Sequence, residues 1–389
     1  MKNKILSIDF EIIWKSIHSH LDHEEQLLLD KWLDEDQKHR SYYQKAQKHL
    51  SETEIHPVKA DLNKLWQDIT IEEGVNHSDK KKKRLLLSVA ASIAILIASY
   101  VLYPSLTSDS DIQTASRHLT YPAPGQHKAI LHLENGKQLV LGENADHTDQ
   151  AVQDVMEIHN KSLRYKNRET SSSAQPMVMH VLEVPRGGEF MLTLTDGTKI
   201  WLNAQSTLKY PVTFDQDKRV VELTGEAYFE VFHDESRPFE VISGDQTLRV
   251  LGTSFNINYY PEENEIISTL VEGKISINTS GGPQAILSPG DQAIYKPEQQ
   301  SLEKQQVNTQ YFIAWKNGLF YFQDKSLDHI MKVLSRWYEI EVFYDNPKKQ
   351  NIRFTGALKR YESFKEVIDL IELTDDVKFT IKENVIIIE

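Results

Sequence analysis

Few side chains in this 389-residue sequence stand at spacings that could do chemistry. His18, His20 and His23 cluster near the start, but at about 100° per helical residue they fan around a helix and do not converge on one metal. Glu226 and Glu230 lie at i and i+4 in a β-patterned run, so they share a face as a pair of acid–base carboxylates would. Nothing in the neighbouring sequence buries either one, and the reading is solvated charge on a wet sheet face. Leu287-Ser-Pro-Gly-Asp291 could turn toward a metal, yet no His-x-His lies in a nearby strand to supply ligands. Gly187-Gly188 reads as a turn, since no helix follows to hold a phosphate. There is no Gly-x-Ser-x-Gly elbow, no Gly-x-x-x-x-Gly-Lys-Ser/Thr loop and no His-Glu-x-x-His. Without cysteine there is also no thiolate nucleophile, thiolate metal site or disulfide. The sequence therefore predicts a non-enzyme with no catalytic residue, metal or cofactor.

Lys and Arg number 44 against 57 Asp and Glu, a formal charge of −13, which argues against a dedicated nucleic-acid binder. Residues 85–103 form an uncharged run of 19 positions. As a helix it would span about 28 Å, close to the ~30 Å of a bilayer core. Lys80, Lys81, Lys82, Lys83 and Arg84 crowd one end; Tyr100, Tyr103 and Pro104 mark the other, with Asp109 and Asp111 beyond. The positive-inside bias then places residues 1–79 in the cytoplasm and the remainder outside. A cleaved leader is disfavoured by the 79 residues that come before the basic run.

Residues 1–79 read as short amphipathic helices. Ile13, Ile17 and Leu21 recur at helical spacing beside Trp14, and Asp22 with Glu25 makes a capping-box pair for a second helix. That helix carries Leu28 with Trp32 and Leu29 with Leu33; Tyr43, Ala46 and Leu50 mark a third helix, and Leu62, Leu65, Trp66 and Ile69 a fourth. So small a domain buries a low fraction of its surface. Its apolar faces are therefore expected to meet a partner, with Trp14, Leu28 and Trp32 the candidate contacts.

Beyond residue 104 the apolar period changes from 3.6 to 2. Phe190, Leu192 and Leu194 alternate, Asp196-Gly197 turns, and Ile200 and Leu202 alternate back, the pattern of a hairpin with a type I′ turn. The same unit occurs 61 residues earlier: Leu131 matches Leu192, Leu133 Leu194, Gly136 Gly197 and Leu141 Leu202. More short strands follow to residue 295, predicting an all-β sandwich, roll or barrel.

These residues carry a resemblance. Leu194 to Pro211, Glu222-Leu-Thr-Gly-Glu-Ala-Tyr-Phe-Glu-Val231, Arg237-Pro-Phe-Glu-Val241 and Val250-Leu-Gly-Thr-Ser-Phe-Asn-Ile257 resemble the FecR-type anti-sigma regulators in order and spacing. The family-motif positions are Asp196, Gly197, Trp201, Leu202, Asn203, Gly225, Glu226, Ala227, Phe229, Pro238, Phe239, Gly252, Thr253 and Phe255.

Residues 311–389 show the order β-α-β-β-α-β-β. Ser326 caps a helix with Leu327, Ile330, Leu334 and Trp337 on one face, and Ser363 with Glu366 opens another. This α+β module is similar to the C-terminal domain of FecR-type proteins of Bacteroidetes and, more distantly, to the short signalling domain of secretins and TonB-dependent receptors.

The expected fold is thus a multidomain membrane protein. It has a small all-α cytoplasmic domain (1–79), one transmembrane helix with its basic flank (80–104), an all-β periplasmic domain (105–300) and a C-terminal α+β module (311–389). The resemblance implies a single-pass inner-membrane regulator. Its cytoplasmic head would bind an extracytoplasmic-function sigma factor, and its periplasmic part would receive a signal from a TonB-dependent outer-membrane receptor. The polar, small-residue stretch after the span suggests in addition that engagement of the outer part changes the oligomeric state or exposes the chain near Pro104 to Thr114 to a site protease, releasing the head. The alternative is a membrane-tethered periplasmic binding protein, for example for glycans, with no transcriptional role.

Overall fold

A computed structural model describes residues 12–13, 15–16, 20–35, 37, 39–40, 43–44, 47, 121–142, 156–166, 178–374 and 376–389. Near the N-terminus, helix α1 (His23–Glu35) is opened by the capping box expected from the sequence. The Glu25 N–H donates to Asp22 Oδ1 at 2.8 Å, and the Asp22 N–H donates back to Glu25 Oε2 at 3.0 Å. Leu29 and Trp32 are its buried positions.

The body is built from strands β1 (Gln126–His132), β2 (Gln138–Gly142), β3 (Met156–His159), β4 (Ser162–Tyr165), β5 (Met179–Val184), β6 (Gly188–Thr193), β7 (Lys199–Leu202) and β8 (Ser206–Pro211). It continues through β9 (Arg219–Glu230), β10 (Phe239–Ser243), β11 (Gln246–Val250), β12 (Ser254–Tyr259), β13 (Ile266–Glu272), β14 (Ile275–Thr279), β15 (Gln284–Leu287), β16 (Asp291–Lys296) and β17 (Ser301–Gln306).

Their pairings resolve into two layers. One runs β2-β1-β5-β8-β9-β10-β11-β14-β15; the other runs β3-β4-β6-β7-β9-β12-β13-β16-β17. Inward-facing residues of both layers, among them Leu131, Leu192, Leu208, Phe229, Phe255 and Ile277, close a single hydrophobic core. Strand β9 belongs to both layers. Its first half pairs with β8 and β10, and from Gly225 onward its second half pairs with β7 and β12. The bend at the change of layer falls at Gly225, where φ is +96° and a Cβ would lie 2.6 Å from Ser206 Cα. Only glycine meets both conditions without strain.

The duplicated hairpins are β1–β2 and β6–β7, one in each layer. Their turns bond alike: Gly136 N–H donates to Leu133 O and Gly197 N–H to Leu194 O, both at 3.0 Å. Leu133 N–H reaches Lys137 O as Leu194 N–H reaches Thr198 O, both at 2.9 Å. In each loop only the glycine has positive φ, +79° and +90°. The loop is therefore a type I turn closed by a glycine bulge, not the two-residue type I′ turn expected from Asp-Gly. The three-residue loop needs left-handed backbone at one position only, and glycine supplies it.

Helix α2 (Gln310–Ile313) and a 3-10 turn (Ala314–Asn317) lead into the C-terminal module. There β18 (Leu319–Ser326), α3 (Leu327–Tyr338), β19 (Glu341–Tyr344), β20 (Arg353–Lys359), α4 (Phe364–Glu372), β21 (Phe379–Lys382) and β22 (Val385–Ile388) follow in the expected order. β18 pairs with β20, while β22 lies between β19 and β21. Leu327, Ile330, Leu334 and Trp337 of α3 pack with Phe364, Val367, Ile368 and Ile371 of α4 in a second core. Ser326 Oγ accepts from the His329 N–H at 3.3 Å and Ser363 Oγ from the Glu366 N–H at 3.4 Å, capping both helices.

The expected fold class is corrected. Among the described residues the protein is mostly β, with four short α-helices, none long and apolar enough to cross a membrane. The longest, α1, has 13 residues, and most of its surface is charged or polar, against the ~20 apolar residues that a span requires. The expected transmembrane segment, residues 85–103, lies outside the described residues, as does most of the expected all-α domain.

Candidate functional site: the seam between sandwich and C-terminal module

The motif residues divide into three groups. Leu202, Ala227, Phe229, Phe239 and Phe255 are fully buried core, with Phe229 and Phe255 stacked at 5.0 Å between ring centroids. They hold the layers together and offer no chemistry.

A second group forms a knot around Arg219, whose side chain is fully buried. Its Nη1 donates to Asp196 Oδ2 at 2.7 Å and to Phe232 O at 2.9 Å; Nε donates to Arg237 O at 2.9 Å and Nη2 to Leu251 O at 3.4 Å. Asp196 also accepts from the Thr198 N–H and hydroxyl, at 2.9 and 2.7 Å. One guanidinium therefore gathers the Asp196-Gly197 turn, the loop before Pro238 and Phe239, and the strand end at Leu251. Gly252 belongs here by its bareness, since a Cβ would lie 2.7 Å from His233 Cα. Nearby, Thr253 Oγ1 donates to Lys274 O at 3.1 Å and fixes the β13–β14 turn.

The third group, Trp201, Asn203 and Glu226, faces the C-terminal module and makes the seam. Glu226 Oε2 accepts from Asn203 Nδ2 at 2.8 Å and Oε1 from Asn256 Nδ2 at 2.9 Å. Both carboxamides are oriented from the far side. Asn203 Oδ1 accepts from Arg360 Nη2 at 2.9 Å, and Asn256 Oδ1 from Trp315 Nε1 at 3.2 Å. Each amide oxygen is thus occupied, which turns each NH2 toward the carboxylate. Burial pushes the Glu226 carboxyl above the ordinary carboxylate range, against the smaller downward pull of Asn256, Asn203 and the Arg336 charge. The sequence reading of Glu226 as solvated charge is corrected: the module covers it.

Around this carboxylate the module and the 3-10 turn before it present cations. Arg336 Nη1 donates to Glu263 Oε1 at 2.8 Å, and its guanidinium lies 3.7 Å from the Tyr260 ring centroid. Arg360 lies over Trp337 at 3.8 Å and pairs with Glu189 at 3.2 Å. Lys316 binds Glu230 at 2.8 Å and sits 4.0 Å from the Trp201 ring and 4.2 Å from that of Tyr228. The Pro185-Arg-Gly-Gly turn closes one side. Arg186 Nη2 donates to Ser335 O and Ile340 O, at 2.9 and 2.5 Å, and the Gly187 N–H donates to Arg336 O at 2.7 Å. The turn thus caps the C-terminal end of α3, where free carbonyls favour positive charge. A cavity of about 20 Å³, lined by Asn203, Glu226, Tyr260, Arg336, Trp337 and Arg360 among others, remains at the centre. That is about the size of one water molecule.

Of the N-terminal candidates, Leu28 is exposed on α1, whereas Trp32 is buried and stacks on His39 at 4.3 Å. Trp14 lies outside the described residues. Leu287-Ser-Pro-Gly-Asp291 is a turn locked by its own carboxylate, with the Ser288 N–H donating to Asp291 Oδ2 at 2.7 Å. Among the described residues no group of His, Cys, Asp or Glu is placed to hold a metal.

This architecture is a β sandwich with a small α+β module docked on its motif face, and two family models divide it along that line. The FecR protein model matches residues 180–276, and the FecR C-terminal model matches residues 319–388. In these two stretches the chain resembles the FecR-type anti-sigma factors. Two crystal structures, at 1.65 and 2.50 Å resolution, of a candidate anti-sigma factor from Parabacteroides distasonis ATCC 8503 are similar to it. Each shares 28% identity and covers 54% of this chain and 98% of its own, with TM-scores of 0.51 and 0.50. No curated protein matches the sequence.

Proposed function

We propose that the chain regulates an extracytoplasmic-function sigma factor in response to a signal received by its β sandwich and C-terminal module. One observation carries the anti-sigma role: both FecR domains occur in one chain, in order, and over 54% of its length the chain is 28% identical to a protein described as a candidate anti-sigma factor. In this reading the N-terminal residues contact the sigma factor. Helix α1 supports that, because Leu27 and Leu28 are 56% and 49% exposed on a helix whose other face is buried at Leu29 and Trp32. An adjacent pair of exposed leucines is a natural anchor for a helical partner.

FecR-family proteins are generally membrane-associated. The reading sets the N-terminal residues on the cytoplasmic side of the inner membrane and the two FecR domains on the periplasmic side. The upstream partner is the signalling domain of a TonB-dependent receptor, and a site protease frees the N-terminal part once the signal arrives. The similarity of residues 311–389 to receptor signalling domains supports this partner.

The test expresses the full-length chain with each extracytoplasmic-function sigma factor of its source and reads a promoter fusion for each. Repression of one promoter, relieved by Leu28→Asp at equal protein level, is the expected outcome. If no promoter is repressed by the wild-type chain, the proposal is refuted.

A further inference from the structure

We infer that the C-terminal module is latched to the sandwich reversibly and leaves it as a rigid body, pivoting at Gly318, with both cores intact. For its signalling meaning this rests on the anti-sigma reading; the docking itself does not.

The first support is the separation of the cores. The buried residues of one all lie in the sandwich, and those of the other all lie in the module except Ala204. Undocking therefore uncovers Trp337, whose ring packs on Gly125, but leaves the module its own α3–α4 packing.

The second is the chemistry of the seam. Beside the packing of Trp337 on Gly125 and of Ala204 on the module core, what joins the bodies is charged: Arg336 to Glu263, Arg360 to Glu189 and Asn203, Lys128 to Glu339, and Arg186 to two helix-end carbonyls. Removing such groups from water offsets most of their mutual attraction, so the seam fixes orientation more than it adds adhesion. Water restores their hydrogen bonds when they part. The seam is not completely filled or satisfied. It keeps the 20 Å³ cavity, and the buried Nε atoms of Arg186 and Arg360 lack a hydrogen-bond partner.

The third is the strap. Ile313 and Trp315 pack with Tyr228, Trp201 and Val271 of the sandwich, and Lys316 is held by Glu230. These contacts precede Gly318, which has φ +75° and stands immediately before β18. Residues before the pivot stay with the sandwich, and those after it move with the module.

The absence of cysteine makes a direct test available. Full-length protein carrying Lys128→Cys and Glu339→Cys, which face each other across the seam, is treated with a short bismaleimide, and the rate of internal cross-linking is measured. Adding Arg336→Gln and Arg360→Gln is expected to slow it roughly tenfold, the effect of losing charge-assisted hydrogen bonds. Amide exchange in α3 and β9 should remain protected. Arg353→Gln, whose arginine pairs with Asp324 inside the module, should leave the rate unchanged. Should the double arginine variant lose α3 protection, Glu263→Gln decides: slower cross-linking with α3 protected supports the latch. An unchanged rate overturns it, as does loss of α3 protection whenever the module undocks.

In cells, Glu263→Gln is expected to change repression of the target promoter. Failure of the wild-type chain to repress any promoter would refute the anti-sigma reading and leave the cross-linking result standing. Normal repression and normal response in Glu263→Gln, with docking shown to be weakened, would overturn the regulatory role of the latch.

Discussion

Arg219→Met is the sharpest single test of what holds the sandwich together. Methionine keeps much of the aliphatic stem but removes four hydrogen bonds, to Asp196, Phe232, Arg237 and Leu251. It also leaves the Asp196 carboxylate, whose side chain is only 4% exposed, without its cation. Thr198 still donates twice to that carboxylate, yet among the described residues no second positive charge is paired with it. Breaking a buried pair from one side costs about 3–5 kcal/mol. For a body of this size, that corresponds to a fall on the order of 10 °C in the melting midpoint. Thermal unfolding followed by calorimetry reads this directly. The control is Asp196→Asn with Arg219→Met, which removes the orphaned charge and should cost less than Arg219→Met alone. A single-variant loss below about 1 kcal/mol, the range of an exposed pair, would refute the argument, because it would mean that Asp196 is hydrated.

Three further expectations can be checked in the same way. Gly225→Ala should cost about 3 kcal/mol or more, since it adds left-handed strain to a backbone contact at Ser206; a loss under about 1 kcal/mol in urea unfolding would contradict the reading of β9 as bent there. Ser326→Ala should cost about 1 kcal/mol, through the lost cap of α3, and an unchanged denaturation midpoint would remove the cap from the account. His329 is pushed down to about 4, first by burial and then by the charges of Lys325, Arg336 and Lys332. Its ring is neutral in the fold but protonates in the unfolded chain below ~6.5, so stability held above that pH is lost toward about pH 4, on the order of 3 kcal/mol in all. Glu226, held above the ordinary carboxylate range, acts with the opposite sign and favours the fold at the lower end of that window. Replacing His329 with Gln should flatten the acid slope, and an unaltered slope between pH 6.5 and 4 would rule the histidine out.

Local features were legible in the sequence where local physics decides them. The alternation of Phe190, Leu192 and Leu194, the glycines at 136 and 197, and the caps at Asp22, Ser326 and Ser363 act over a few residues, and the structure places each where the pattern implies. The turn type was not legible, because a type I′ turn and a type I turn with a bulge both ask for glycine after a short polar residue. Glu226 was misread for a different reason. Its cover comes from Arg336, Trp337 and Arg360, and the Arg360 contact to Asn203 spans 157 positions of chain. No periodicity near residue 226 registers a neighbour so distant. The only local hint was the company it keeps, a carboxylate in a run with two aromatics, Tyr228 and Phe229. Leu28 and Trp32 show the limit of face-counting on helices: four residues apart, they were assigned one face, yet one is exposed and the other buried.

The strand shared between the layers has a kinetic consequence. Each of its four neighbours, β7, β8, β10 and β12, lies between residues 199 and 259, so their pairings with β9 close only short loops, which cost little chain entropy and form early. Strands β5, β6, β13 and β14 add to the edges of this inner group, and β1 to β4 and β15 to β17 pair outside it, further along the sheets. Residues 199–259 are therefore the natural folding nucleus, and variants there should slow folding, whereas variants at the outer strands should mainly speed unfolding.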